Sequence, residues 1–386
     1  MGIYYLIAII FLVAASVEAL YVKKNKAAEL GSIDFKKIVF FYLAFILFFI
    51  SAFRFETGND YISYKYIFQH AAEWNSNISI KRIEKGYLLI NLIFHDFYLM
   101  QVFYTGICCF LIYKAIYEHS EFPIYTLLLY YCFFFFAGEM GQTRQYIAIA
   151  FITYGTKYIE KRQLIKWILI IILATNFHLS SVIAFPLYFT NRISLSKSLA
   201  VIILLFCLFM NLFGLKIVWS ILKFITNSSI VPKKINGLVY AYTSSNDYGK
   251  QVEFGSGLGM LVSYSFYFLV IIFYCFLPCD KRKRPFKNYY LLNFLLGLLF
   301  DSMGRNFDQF SRVTNYYWIC GYGLVSFELI PSAKKFFRKL DFLRIFTVLM
   351  LCSWFFYTRM QDVGSIEDNR FYYKSTFSQY HLSEKR

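Results

Sequence analysis

Three stretches of this chain set arginine beside carboxylates and tyrosines in otherwise apolar surroundings. The first, "FRFETGNDYISY" at 53–64, places Arg54 directly after an apolar run. Its Gly58-Asn59-Asp60 is turn chemistry, which would let Asp60 and Tyr64, four apart, share a face of a short following helix. The second, "AGEMGQTRQYIAIA" at 137–150, flanks Glu139 with two glycines between apolar runs, the pattern of a tight outer turn, and puts Arg144 in the first turn of the next helix. A cation there opposes the helix macrodipole at a cost of about 0.3–1 kcal/mol. The placement needs an offset: Glu139, five residues back, or a bound anion, since free N–H groups and a guanidinium at a helix start make a phosphate site. The third, "GRNFDQFSRVTNYYWI" at 304–319, carries Arg305, Asp308 and Arg312, with Tyr316 one turn on from Arg312. The residue at these positions is always arginine, the better bidentate partner for phosphate. A plain alternative for Arg54 is an interfacial anchor whose charge snorkels to headgroups.

His178, in "ATNFHLSS", is the one histidine deep in apolar sequence. It reads either as a packed helix residue hydrogen-bonded to Thr175, Asn176 or Ser180, or as a base or hydroxyl ligand. His70, His95, His119 and His381 read as interface or loop residues. The eight cysteines lie in or beside apolar segments with no C-x-x-C pair, which argues against a disulfide framework or a zinc site.

What must position these groups is a membrane domain. The 386 residues are 58% hydrophobic and 16% charged, where a soluble domain is nearer a quarter charged. The apolar residues fall in long runs without the period of two that a barrel needs. The expected fold is therefore all-α, a single polytopic domain over 1–386. Its roughly twelve spans lie near 2–22, 38–53, 95–114, 122–138, 142–158, 164–176, 178–190, 198–215, 257–277, 288–303, 313–330 and 342–358. The first run is followed, not preceded, by Lys23, Lys24 and Lys26, which excludes a cleaved signal peptide and puts the N-terminus outside. The alternate short loops 23–37, 114–121, 157–166, 191–197, 279–287 and 332–344 hold 22 of the 40 Lys and Arg and would face the cytoplasm. The rest sit mostly in three outer segments: 54–94, too polar to span and expected as short interfacial helices, the loop 216–256, and the tail 359–386. The net charge of +17 is thus a topology signal and no pointer to nucleic acid. Within 164–190, two short spans broken at 175–178 are favoured over one, because Thr-Asn-x-His is costly at mid-bilayer.

These pieces, in this order, resemble the EpsG family, relatives of the Wzy-type O-antigen and capsule repeat-unit polymerases. The resemblance rests on R-x-x-x-G-x-D-x-x-x-Y at Arg54, Gly58, Asp60 and Tyr64, on E-x-G-Y at Glu84 to Tyr87, and on R-Q at Arg144-Gln145. F-H-x-S at Phe177 to Ser180 and R-x-x-x-Y-Y at Arg312 to Tyr317 complete it, and "NRFYYK" at 369–374 is a loose further match. It implies a GT-C-like membrane glycosyltransferase at the outer face of the bacterial cytoplasmic membrane. Such an enzyme moves an oligosaccharide from one polyprenyl-diphosphate carrier to another for capsule, lipopolysaccharide or exopolysaccharide. Arg54, Arg144, Arg305 and Arg312 would clamp the diphosphate; Glu84, Glu139, Gln145, Tyr64, Tyr87 and Tyr316 would line the site. Asp60 or His178 would act as base. Tyr61, Tyr66 and Trp74 would be further stacking surfaces for sugar rings, an enrichment that a plain interfacial aromatic belt produces as well. No cofactor or metal is expected, the partners being the two carrier-linked substrates, membrane lipid and a chain-length regulator protein.

Three other readings compete. An O-antigen ligase would carry one large late outer loop, and 216–256 is modest. A transporter or flippase of lipid-linked sugars would place charges at mid-helix on a path through the membrane, whereas the suspicious residues here gather on one side. A membrane acyltransferase would show an early histidine, which this chain lacks.

Overall fold

The computed structural model describes residues 2–24, 32–58, 60–120, 122–141, 143–226 and 284–304, with short pieces at 264–265, 267–268, 271, 313–317, 356 and 373–377. Every element is helical, and the β-pairing is one isolated antiparallel bridge, Arg54 with Ser375, among the described residues. The all-α expectation holds. The spans predicted near 257–277, 313–330 and 342–358 fall wholly or mostly outside the described residues, as do 227–256 and most of 359–386.

The chain divides into two compact units, Met1–Tyr188 with Val325–Arg386, and Phe189–Leu324. In the first, α1 (Gly2–Lys24) packs on α7 (Pro123–Tyr130), and α2 (Ser32–Ala52) packs on α6 (Phe97–His119) and α7. α6 packs on α8 (Thr143–Glu160), which packs on α9 (Leu164–Thr175). α6 starts where the Asp96 carboxylate accepts the Leu99 N–H at 2.8 Å. α7 has proline at its first position, and its free N–H groups are met from another helix. The buried Glu18 carboxylate accepts Ile124 N–H at 3.4 Å and Tyr125 N–H at 2.9 Å, and pairs with Lys36 at 3.4 Å. Beyond Tyr130 the helix widens into a π-helical stretch, Tyr131–Glu139.

Between α2 and α6 the polar segment folds, as its composition predicts, into short helices: α3 (Tyr61–Gln69), a 3-10 turn at Ala71–Glu73, α4 (Ile78–Lys81) and α5 (Lys85–Ile93). After α9 the chain breaks at 176–178, as expected, and returns through a 3-10 turn, Leu179–Ala184, to α10 (Leu187–Thr190) at the boundary of the two units. The limbs are antiparallel: the indole N–H of buried Trp167 donates to Phe185 O at 3.3 Å. α9 has 12 residues and rises about 18 Å, short of a ~30 Å hydrocarbon core.

In the second unit α11 (Lys197–Thr226) packs on α12 (Arg284–Gly304). α11 continues past 215 into the segment expected as an outer loop. "KIVWSILKFIT" has the apolar period to stay helical.

One helix, Phe97–His119, is by length and apolarity alone sufficient to cross a membrane among the described residues, so a count of twelve is not established. The outward faces add a second observation. On α2 Ile38, Phe41, Tyr42, Phe45 and Phe49 form one exposed stripe, and on α9 Ile165, Leu169 and Ile172 form another. Aliphatic and aromatic stripes of this kind are rare on proteins that face water and suit a lipid solvent.

Candidate active site

The site is built where α2 ends, α8 begins and the short helices lie. α2 stops at Ala52, and Gln101 from α6 reaches across to close it, donating to Ala52 O at 2.8 Å and Arg54 O at 3.0 Å. Arg54 follows, its side chain buried with 3% exposure. One Nη donates back to Ser51 O at 2.7 Å, and Nε has no protein partner. The next residues turn sharply. Glu56 sits at φ +43° and Gly58 at φ +110°. A non-glycine residue there costs about 1–2 kcal/mol and persists only where surroundings over-determine it. At Gly58 a Cβ would stand 1.8 Å from Met140 O, so the turn presses against the α7–α8 connection and only glycine fits.

Asp60 occupies the N-cap position of α3, and Tyr64, one turn on, is buried. Burial and the nearby Asp60 hold the Tyr64 phenol above the ordinary tyrosine range, against the pull of Arg144. Its oxygen accepts the Arg144 backbone N–H at 3.3 Å, so this phenol meets one of the free donors at the start of α8.

Arg144 does lie in the first turn of α8, and its offset is Glu84, not Glu139. One Nη meets Glu84 Oε2 at 2.5 Å, while Nε has no protein partner. Glu84 Oε1 accepts Leu179 N–H at 3.1 Å, so one carboxylate ties Arg144 to the turn that carries His178. His178 Nδ1 shares a 2.7 Å hydrogen bond with Ser180. Gly86 N–H donates to Asn176 O at 2.9 Å, and a Cβ at 86 would lie 2.7 Å from that oxygen. Tyr87 is fully buried with its ring against Tyr64 (5.8 Å) and Tyr104 (5.8 Å). The E-x-G-Y string is therefore a joint: a carboxylate that grips, a glycine that admits a backbone, a ring that packs.

Glu139 is not in an open turn. It closes the π-helical stretch, and its buried carboxylate collects hydroxyl and thiol donors from α2, α6, α7 and α8. Ser51 bonds Oε1, Cys109 meets it at 3.1 Å, Tyr130 reaches Oε2 at 2.7 Å, and Tyr113 and Tyr146 complete the set. Ser51 is shared, its carbonyl holding Arg54 and its hydroxyl holding Glu139. The turn reading failed because the wide π-helical stretch carries Glu139 inward, where α2, α6 and α8 supply donors that local spacing does not reveal. Gln145 is buried beside Arg144 in sequence.

Arg305 and Arg312 lie outside the described residues. Tyr316 is fully buried in the second unit, and its neighbour Tyr317 packs on Phe300 at 5.1 Å. The third arginine hairpin thus adds no geometry to the first two. Sequence reasoning missed Gln101, Tyr104, Tyr113 and Tyr130, although a glutamine within an apolar helix was a visible signal. It also gave little weight to 373–377, which pairs with 53–57. Among the described residues no group of three or more His, Cys, Asp or Glu could hold a metal ion.

Compared with known proteins, residues 37–375 match the model of the EpsG family. No curated protein and no solved structure matches the chain.

Proposed function

The chain belongs to the EpsG family, a family of Wzy-type polymerases and of membrane proteins; on that premise we propose that it is a glycosyltransferase joining polysaccharide repeat units at the outer face of the bacterial cytoplasmic membrane. Donor and acceptor are oligosaccharides on polyprenyl diphosphate. An acceptor sugar hydroxyl attacks the donor's anomeric carbon, the bond from that carbon to the diphosphate oxygen breaks, and the hydroxyl proton passes to a base. Asp60 at the start of α3 and His178 at the tip of the α9 hairpin are the candidates for that base.

The observation that carries this reading is the pairing of Arg54 and Arg144. They come from chain segments 90 residues apart that the Gly58–Met140 contact brings together, and each keeps a buried Nε without a protein partner. Unused guanidinium donors held by fixed carbonyl and carboxylate contacts suit the charge that develops on a departing diphosphate. Such preorganised donors are typically worth about 3 kcal/mol each, and the bidentate fork favours arginine over lysine. The tyrosines around them offer faces for sugar rings.

The test is lipid analysis of a strain lacking the protein. Single repeat units accumulated on carrier lipid in the outer leaflet support a polymerase. Units trapped in the inner leaflet point to a flippase, and finished chains left on the carrier point to a ligase.

A further inference from the structure

The turn that carries Arg54 is held by a segment more than 300 residues away. Phe55 N–H donates to Lys374 O at 2.8 Å, and Thr376 N–H donates to Phe53 O at 3.0 Å. Lys374 N–H donates to the Thr57 hydroxyl at 3.2 Å, and Lys374 Nζ lies 3.5 Å from the Glu56 carboxylate. Phe377 stacks on Phe49 at 6.1 Å and packs on Phe53 at 5.1 Å, while Tyr373 packs edge-on to Tyr4 at 6.3 Å. This two-sided grip falls on a stretch where a non-glycine residue, Glu56, adopts a left-handed backbone two residues from Arg54. A strained turn beside a functional side chain keeps its shape only if something outside it enforces that shape.

We propose that residues 373–377 are a positioning element of the active site: paired with 53–57, they set the Arg54 guanidinium for the carrier diphosphate. The inference rests on the polymerase reading of the Arg54 site. Residues 373–377 act through the Arg54 turn and need touch no substrate. Freed from this pairing, the turn relaxes, and the loss appears in the affinity for carrier-linked substrate.

The experiment measures initial polymerisation rates in membrane vesicles, with carrier-linked repeat units extracted from a strain lacking the protein. Thr376→Pro removes the N–H that binds Phe53 O, and Thr376→Val keeps it. The expected result is a KM at least tenfold higher for Thr376→Pro, wild-type behaviour within twofold for Thr376→Val, and unchanged amounts of protein in the membrane. Lys374→Glu sets two carboxylates face to face at a half-exposed pair, where such contacts add little to stability. It raises KM two- to fivefold, and adding Glu56→Lys reverses the rise. If Thr376→Pro fails to accumulate, this charge swap alone decides, and no recovery in the swap overturns the inference. Wild-type KM in both Thr376→Pro and Lys374→Glu overturns it as well. Arg54→Ala in the same assay separates the two levels: lost polymer there leaves the site reading standing, and normal polymer removes both.

Discussion

Arg144 shows how one side chain can be legible in type and illegible in partner. Its place in the first turn of a helix follows from the glycines and the apolar run around it, and the need for an offsetting charge follows from the macrodipole. Which carboxylate answers does not follow. Glu139 is five residues away and Glu84 sixty, yet Glu84 binds, because α5 brings it to the mouth of α8 while the π-helical stretch draws Glu139 inward. Arg144→Ala is expected to abolish polymer, and Arg144→Lys to restore little of it, since an ammonium cannot both hold Glu84 and offer a planar fork. Glu84→Gln keeps the shape and weakens a charge-assisted bond worth about 1.5–3 kcal/mol, so it should cost ten- to a hundredfold in rate. In a double-mutant cycle the two losses should fall short of additive, because both variants remove the same contact. Fully additive losses would mean that the pair does not work as a unit. Glu139→Gln makes a different prediction. Its five donors lose half their acceptor, and a buried unsatisfied donor costs about 1–3 kcal/mol. The detergent-purified variant should therefore melt several degrees lower, whatever its activity.

Among the elements, the contacts that build the site come from the connections between the long helices. The sequence predicted short helices in 54–94 from their polarity, and a break at 175–178 from the cost of burying Thr-Asn-x-His. Both are present, and each ends on the same joint: the α9 hairpin tip meets Glu84 and Gly86, and the Arg54 turn meets Met140 through Gly58. What could not be read was that two motif glycines are contact points. Their neighbours, Asn176 and Met140, lie 90 and 82 residues on, and no local pattern encodes such distances. Gly58→Ala should be the more damaging of the two substitutions. It meets a carbonyl at 1.8 Å and a positive φ together, whereas Gly86→Ala meets only the Asn176 carbonyl, at 2.7 Å. Melting temperature and polymer output should both rank wild type above Gly86→Ala, and Gly86→Ala above Gly58→Ala. The reverse order would show that the Gly58 turn has room to move.

At the scale of the molecule, the open matter is which side of the membrane this joint faces. Arg54 and Arg144 lie on the same side of the bundle from opposite ends of their helices: α2 runs toward Arg54, and α8 runs away from Arg144. The loop that closes the far end of α8, 161–163, is the one carrying Lys161 and Arg162 with Lys157 and Lys166 beside it. Because short basic loops stay in the cytoplasm, the arginine end should be outside. The α9 hairpin keeps this parity whether its short limbs cross the bilayer or turn back within it, since either path returns the chain to the side it left. Ser76 and Lys161 are exposed and sit at opposite ends of the bundle, and the unsubstituted protein, labelled in parallel, sets the background from its own eight cysteines. A membrane-impermeant thiol reagent on intact cells without an outer barrier should label Ser76→Cys at once and Lys161→Cys only after permeabilisation. The opposite pattern would put both guanidinium groups on the cytoplasmic side. There they could not act on repeat units that have already crossed, and a role in carrying lipid-linked sugars across the bilayer would become the better reading.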